Sequence, residues 1–183
     1  MNGHRQPTLM PLIVERDIKT RLAQLVGEIA EEASGQQLVV VIGLLKGSFM
    51  FLADMARLFY IHSIPLAIDF MMVSSYGAGT ESSGRVEMTR DITTSIENQW
   101  TLLVDDILDT GRTMEFAEHH LRQKRPSKLK TCVLLDKPDR RVVPFHADYV
   151  GFTIPDEFVV GYGLDHNGRY RELPNLSVLS DKP

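Results

Sequence analysis

The chain holds a single cysteine, Cys132, so no internal disulfide can brace it. That residue lies in an apolar run and reads as a small buried core side chain. No stretch approaches the roughly 20 apolar residues that a membrane-spanning helix requires. The start, Met1 to Thr8, has no apolar signal-peptide core. A cytoplasmic protein without a membrane partner is expected. There is also no excess of positive charge: 20 Lys and Arg face 24 Asp and Glu, a net charge of −4. A nucleic acid is therefore not an expected partner. Internal repeats and domain boundaries are absent too. With 183 residues, the chain suits one well-buried domain over residues 1–183 and is short for two. Residues 1–11 are polar and aperiodic, and read as a loose tail.

What is present alternates between helix and strand signals. From Glu15 onward, Ile18, Leu22, Leu25, Val26, Ile29 and Ala33 recur at helical spacing. This amphipathic helix should stop near Ser34-Gly35. Leu38 to Gly43 is a continuous apolar run, as in a strand buried on both faces. A helix over Phe49 to Leu58 and an alternating strand around Leu66 to Met72 follow. Val86 to Ile92 suits a returning hairpin strand. Thr101 to Val104 and Leu129 to Leu135 read as further buried strands, with a helix from Met114 to Lys124 between them. Tyr149 to Ile154 and Phe158 to Gly161 are shorter segments, and Leu173 to Leu179 should pack back as part of a small hood. The pattern points to an α/β fold with a central, mostly parallel sheet flanked by helices.

Ligands of such sheets sit at the carboxyl ends of the strands. There, after Thr101 to Val104, stand Asp105 and Asp106, then the turn Asp109-Thr110-Gly111-Arg112-Thr113. A glycine-bearing loop entering a helix offers N–H groups and the positive dipole end to a phosphate. The acid pair can hold sugar hydroxyls or a hydrated magnesium ion. Together they suggest a pocket for a phosphorylated sugar, although Asp or Thr before a helix can be merely a cap. Leu44-Leu45-Lys46-Gly47-Ser48 occupies the equivalent edge after the first strand and favours an anion, without the glycine spacing of a Walker A loop. Residues 74–87 are dense in glycine and serine, the composition of a mobile loop. His119 and His120 are sequence neighbours that cannot share a helix face, so they are not read as metal ligands.

The acid pair, two apolar residues and Asp109 to Thr113 closely resemble the signature for phosphoribosyl pyrophosphate in type I phosphoribosyltransferases. Leu45 to Ser48, Ser75-Tyr76, Asp136-Lys137 and Phe158 to Arg171 match the hypoxanthine–guanine branch in order and spacing. The resemblance covers nearly the whole chain after the tail. It departs in Asp105, where many relatives have Glu, and in Arg112, where Lys is common. Both replacements keep the charge.

The resemblance implies the type I fold and purine salvage: transfer of phosphoribosyl from phosphoribosyl pyrophosphate to hypoxanthine, and to guanine, with Mg2+ as cofactor. It assigns pyrophosphate to Leu45, Lys46, Gly47 and Arg171, with a Leu45–Lys46 peptide that can be cis. The 5′-phosphate falls to Asp109, Thr110, Gly111, Arg112 and Thr113, and the ribose and metal to Asp105 and Asp106. Asp109 is also the candidate general base. The purine is assigned to Lys137 at its carbonyl oxygen, Phe158 by stacking, Val159 through its backbone and Asp165, which also serves as a third metal ligand. Ser75 and Tyr76 would open a flexible lid over about residues 74–87. Relatives form dimers or tetramers, so a homo-oligomer is expected. An alternative is a regulator that keeps the fold and binds RNA, for which the basic run Arg122 to Lys130 is the candidate face. A third reading, another phosphorylated-sugar binder, explains Asp105 to Thr113 but not the base pocket.

Overall fold

The computed structural model describes residues 8–76 and 85–180. Its centre is a six-stranded sheet ordered β4-β3-β2-β5-β6-β7, formed by β2 (Val39–Leu45), β3 (Leu66–Tyr76), β4 (Arg85–Arg90), β5 (Trp100–Leu108), β6 (Lys128–Asp136) and β7 (Tyr149–Thr153). The five strands from β3 to β7 are parallel, and only the edge strand β4 is antiparallel, as the hairpin partner of β3.

The continuous apolar run of β2 follows from burial on both faces. Val39 and Val41 pack with α1 (Glu15–Glu32) and α2 (Phe49–Ile61), while Val40, Ile42 and Leu44 pack with α3 (Arg112–Gln123). The buried stripe of α1 comprises Ile18, Leu22, Leu25, Val26 and Ile29, as the spacing predicts, together with Ala30, while the expected Ala33 is buried just past the helix as its C-cap. Fully burying each of its leucine, isoleucine and valine side chains contributes about 1.5–3 kcal/mol. Arg21 on the same helix donates to the carbonyls of Val150 and Gly151 at 2.8 and 2.9 Å. These contacts engage the backbone of the edge strand β7, which would otherwise invite another strand.

A second, three-stranded antiparallel sheet ordered β1-β9-β8 forms the expected hood, from β1 (Thr8–Ile13), β8 (Val159–Val160) and β9 (Leu176–Ser180). This corrects the loose tail: Thr8 to Pro11 belong to β1, with Thr8 opposite Ser180 and Pro11 opposite Ser177. Most β1 side chains are exposed, so no alternating pattern marked them, and their partner strand lies at the other end of the chain. The hood also caps α1. Val14, at the helix start, makes no side-chain cap bond, and the amide of Glu15 instead donates to Asn175 Oδ1 at 2.8 Å.

A further difference concerns β5, which runs on past Val104 to Leu108 and includes the acid pair. It pairs with β6 as far as Leu108 opposite Asp136, whereas its pairing with β2 ends at Gly43 opposite Val104. Beyond that point β2 and β5 part. The chain leaves β2 through α2 toward β3 and leaves β5 through α3 toward β6, on the opposite face. A crevice opens where the connections diverge. Of the segment assigned to the lid, about residues 74–87, residues 77–84 lie outside the described residues, as do the side chains of Ser75, Tyr76 and Arg85, while the flanks belong to β3 and β4. No described helix is long and apolar enough to cross a membrane.

Glu32, in the last turn of α1, carries the wrong charge for a helix C-terminus. Lys128 at 2.5 Å and Lys130 at 3.3 Å offset it, and the Tyr149 hydroxyl donates to its other oxygen. The Lys128 contact and then the Tyr149 hydroxyl lower its carboxyl from the ordinary 4.5 to about 2. A depressed carboxyl stabilises the fold above pH 4.5, and that contribution disappears as the pH falls toward 2. Solvent reaches this side chain, so Glu32→Gln should cost no more than about 1 kcal/mol at pH 7. Urea unfolding of both proteins at pH 7 and pH 2 should show the difference shrinking with acidity. An equal difference at both would mean that the charge is not its source.

Candidate active site

Asp105 is buried and Asp106 half-buried on the wall of the crevice, where β2 no longer covers β5. Burial first, and then the charge of Asp106, pushes the Asp105 carboxyl well above the usual carboxylate range. Burial likewise raises Asp106, with the positive charge of Arg171 among the effects that oppose it. A buried carboxylate with a half-buried one beside it is a costly arrangement that a cation or a set of hydroxyl donors relieves. The pair therefore fits a divalent cation that keeps waters and substrate oxygens as its remaining ligands. Among the described residues, no group of three or more His, Cys, Asp or Glu side chains is placed to hold a metal. The expected trio of Asp105, Asp106 and Asp165 is thus not assembled. Asp165 is ion-paired instead with Arg171 at 2.6 Å and accepts the Gly168 amide at 2.7 Å.

The second wall is the turn from Leu45 to Ser48, whose Leu45–Lys46 peptide is cis. Gly47 faces the acid pair so closely that a Cβ there would stand 1.6 Å from Asp106 Oδ2. On the other side, a Cβ on Gly163 would meet the Gly47 carbonyl at 2.1 Å, and Gly163 has φ +103. Only glycine fits this contact and this backbone. Gly163 also receives Arg171 Nη1 on its carbonyl and donates its amide to the Arg171 carbonyl at 3.0 Å. The segment around Arg171 is thereby fastened, through Gly163, to the turn at Gly47.

The third wall is the loop Asp109 to Gly111, which enters α3. Gly111 caps the helix with φ +89, and a Cβ would press on Val143 at 2.7 Å and Arg141 at 3.0 Å. The amides of Val142 and Val143 donate to the Thr110 carbonyl at 3.0 and 3.3 Å. Arg141 holds the loop from behind, donating to the carbonyls of Leu108, Asp109 and Phe145 and to the Asp136 carboxylate. A fixed loop at the start of a twelve-residue helix presents the positive dipole end to an anion.

These walls enclose a cavity of about 450 Å3, lined by residues 44–47 and 105–114 together with Val73, Val86 and Arg140. Leu45, Lys46, Gly47, both acids and Asp109 to Thr113 are thus brought together. Lys137, Phe158, Val159, Asp165 and Arg171 do not line that cavity. Lys137 is buried beyond Leu108, its amide donating to the Leu108 carbonyl at 2.9 Å and its Nζ to the Glu157 carbonyl at 2.6 Å. Phe158 is 52% exposed and stands edge-on to the His166 ring at 5.4 Å. Val159 is buried in β8, opposite Val178. Sequence reasoning missed Arg140, Arg141 and Gly163. The first two are visible only as an Asp139-Arg140-Arg141 charge run, which reads equally well as surface.

The basic run after α3 does not form a free face. Arg122 pairs with Glu118, Lys124 with Asp91, Arg125 with Glu97 and Lys128 with Glu32, at 2.5 to 2.7 Å. The RNA-binding alternative loses the one feature that favoured it.

Residues 15–167 match the phosphoribosyl transferase domain family. The hypoxanthine-guanine phosphoribosyltransferase of Aquifex aeolicus is 48% identical over 99% of this chain and 100% of its own. The chain belongs to the hypoxanthine–guanine branch of the phosphoribosyltransferase family. The hypoxanthine phosphoribosyltransferase of Salmonella typhimurium is 44% identical over 96% of this chain and 98% of its own. Among solved structures, that of the Trypanosoma cruzi hypoxanthine phosphoribosyltransferase with the product IMP superposes with a TM-score of 0.88, at 41% identity over 99% of this chain and 98% of that one.

In this phosphoribosyltransferase, Gly47→Ala should keep the fold while displacing the Asp106 carboxylate. Affinity for phosphoribosyl pyrophosphate with magnesium, read by calorimetry, should fall at least about tenfold, equivalent to about 1.4 kcal/mol. Unchanged affinity would show that Asp106 does not face the donor.

Proposed function

We propose that this single-domain cytoplasmic protein transfers the phosphoribosyl group of phosphoribosyl pyrophosphate to hypoxanthine, and to guanine, releasing pyrophosphate. The observation that carries this reading is the one cavity in which a cation-bearing turn, a buried acid pair and a helix N-terminus meet. These correspond, in order, to the pyrophosphate, the ribose hydroxyls and the 5′-phosphate of the donor.

In the reaction a ring nitrogen of the purine bonds to the anomeric carbon while the bond from that carbon to the pyrophosphate oxygen breaks. The amides and hydroxyls of Thr110 to Thr113 grip the 5′-phosphate with Arg112, fixing the donor for in-line attack. Asp105 and Asp106 hold the ribose hydroxyls and would hold the cation. Magnesium, when bound there, offsets charge on the leaving pyrophosphate. Lys46 and Arg171 add positive charge on the same side, along the turn of Leu45 and Gly47. The purine stacks on the open face of Phe158, and Lys137 reads its carbonyl oxygen. The Val159 backbone reads its edge, with Asp165 fixing Arg171 beside it. A large aromatic side chain left half in solvent is the kind of surface a flat heterocycle covers. Asp109 accepts the proton that leaves the purine ring. A homo-oligomer, dimer or tetramer, is in keeping with Tyr60 and Ile61, which are 85% and 72% exposed at the end of α2.

Turnover with phosphoribosyl pyrophosphate and magnesium should be high for hypoxanthine and guanine and low for adenine and uracil. No nucleotide from any purine would overturn the reading. Asp109→Asn should still bind donor, with kcat lowered by about 10²- to 10⁴-fold, the usual contribution of a general base. Normal turnover would remove Asp109 from the mechanism.

A further inference from the structure

Arg140 lines the cavity but has no part in the assignments above. It ends the short 3-10 turn Pro138–Arg140, directly after the purine-side Lys137, and its amide donates back to the Lys137 carbonyl at 3.2 Å. The next residue is Arg141, whose guanidinium is bound to the phosphate loop, so the backbone that carries Arg140 is fixed. From there its side chain reaches two ways. Nε donates to Asp109 Oδ1 at 3.1 Å, and Nη1 stands 3.6 Å from Asp156 Oδ2. Asp156 belongs to the segment between β7 and β8, next to the Glu157 carbonyl that receives Lys137, and its Oδ1 is 4.0 Å from Lys137 Nζ.

One planar guanidinium therefore joins the phosphate loop to the segment that carries the purine-side groups. Arginine suits this, since its rigid fork can serve two carboxylates at once, which a lysine ammonium on a flexible stem does less well. Stability does not account for it: the side chain is 48% exposed, and exposed ion pairs contribute only about 0–1 kcal/mol. One oxygen of Asp109 is held, and among the described residues no hydrogen bond reaches the other. A base whose one side is gripped by an orienting group, with the other left for the proton, is the usual arrangement for a side chain that must meet its substrate at a set angle.

The geometry points to Arg140 as a positioning residue, bridging Asp109 to Asp156 so that the base of the phosphate loop keeps a fixed place relative to the purine. This rests on the reading of Asp109 as the general base. Steady-state kinetics and thermal unfolding of Arg140→Met, Asp156→Asn, the double variant and Asp109→Asn test both. Arg140→Met should lose about 10- to 100-fold in kcat, the scale of a slight misplacement of reacting groups. Its KM for phosphoribosyl pyrophosphate should stay within about threefold, because transition-state geometry and not ground-state binding is lost. Asp156→Asn should show a smaller loss of the same kind. The double variant should be no worse than Arg140→Met alone, since Asp156 acts through Arg140.

A normal kcat for Arg140→Met beside a crippled Asp109→Asn would overturn the bridge and leave the base in place. A normal kcat for Asp109→Asn would remove the base, and the bridge with it. A KM for donor raised more than about tenfold at unchanged kcat would make Arg140 a phosphate ligand and end the positioning role. Loss of activity with a matching loss of thermal stability in both Arg140→Met and Asp156→Asn would reduce the pair to a structural contact.

Discussion

Beyond Gly43 and Val104, strands β2 and β5 stop pairing, and the rest of the site depends on that separation. A ladder running on to the ends of both strands would have left no room between them. Because β5 keeps its partner β6 to Leu108, its backbone remains held while its β2 side is open. Asp105 and Asp106 sit on that open side, supported by a strand and not by a loop. Their raised proton affinity comes from burial, which a floppy segment would relieve by moving into water. The rigidity of the sheet keeps two carboxylates where they are unfavourable alone.

Around this crevice the loops are fastened to one another more than to their own elements. Gly163 rests on Gly47, and Gly47 faces Asp106, so the hood side, the turn from Leu45 to Ser48 and the acid pair form a chain of close contacts. Side chains at these two glycines would prop the walls apart. Arg141 performs the matching task on the loop that enters α3, joining Leu108, Asp109, Asp136 and Phe145 through one guanidinium. Several donors from one planar group fix a loop with less loss of side-chain freedom than several separate residues would need.

Much of this was legible in the chain itself. A continuous apolar run marked β2 because a strand buried on both faces carries no alternation. The 3.6-residue period marked α1 because one stripe of it is buried. The turn Asp109 to Thr113 was readable as the entry to α3 because its glycine, its hydroxyls and the helix that follows are neighbours in sequence as well as in space. For the same reason the family resemblance and the comparisons with relatives agree.

What the sequence could not determine is everything made by residues far apart in it. Strand β1 looked like a tail because its side chains are mostly exposed and its partner is β9, more than 160 residues away. The cap of α1 is Asn175, which no local pattern announces. No local pattern shows that Asp165 is ion-paired with Arg171. Arg140 carries no local signal of its role, and only the fold places Asp109 and Asp156 on either side of it. Composition and periodicity record which faces are buried and which turns the backbone can make, since those are local properties. Which buried face meets which, and which charge faces which, is decided only when the strands take their order in the sheet, because that order sets the distances on which packing and electrostatics act.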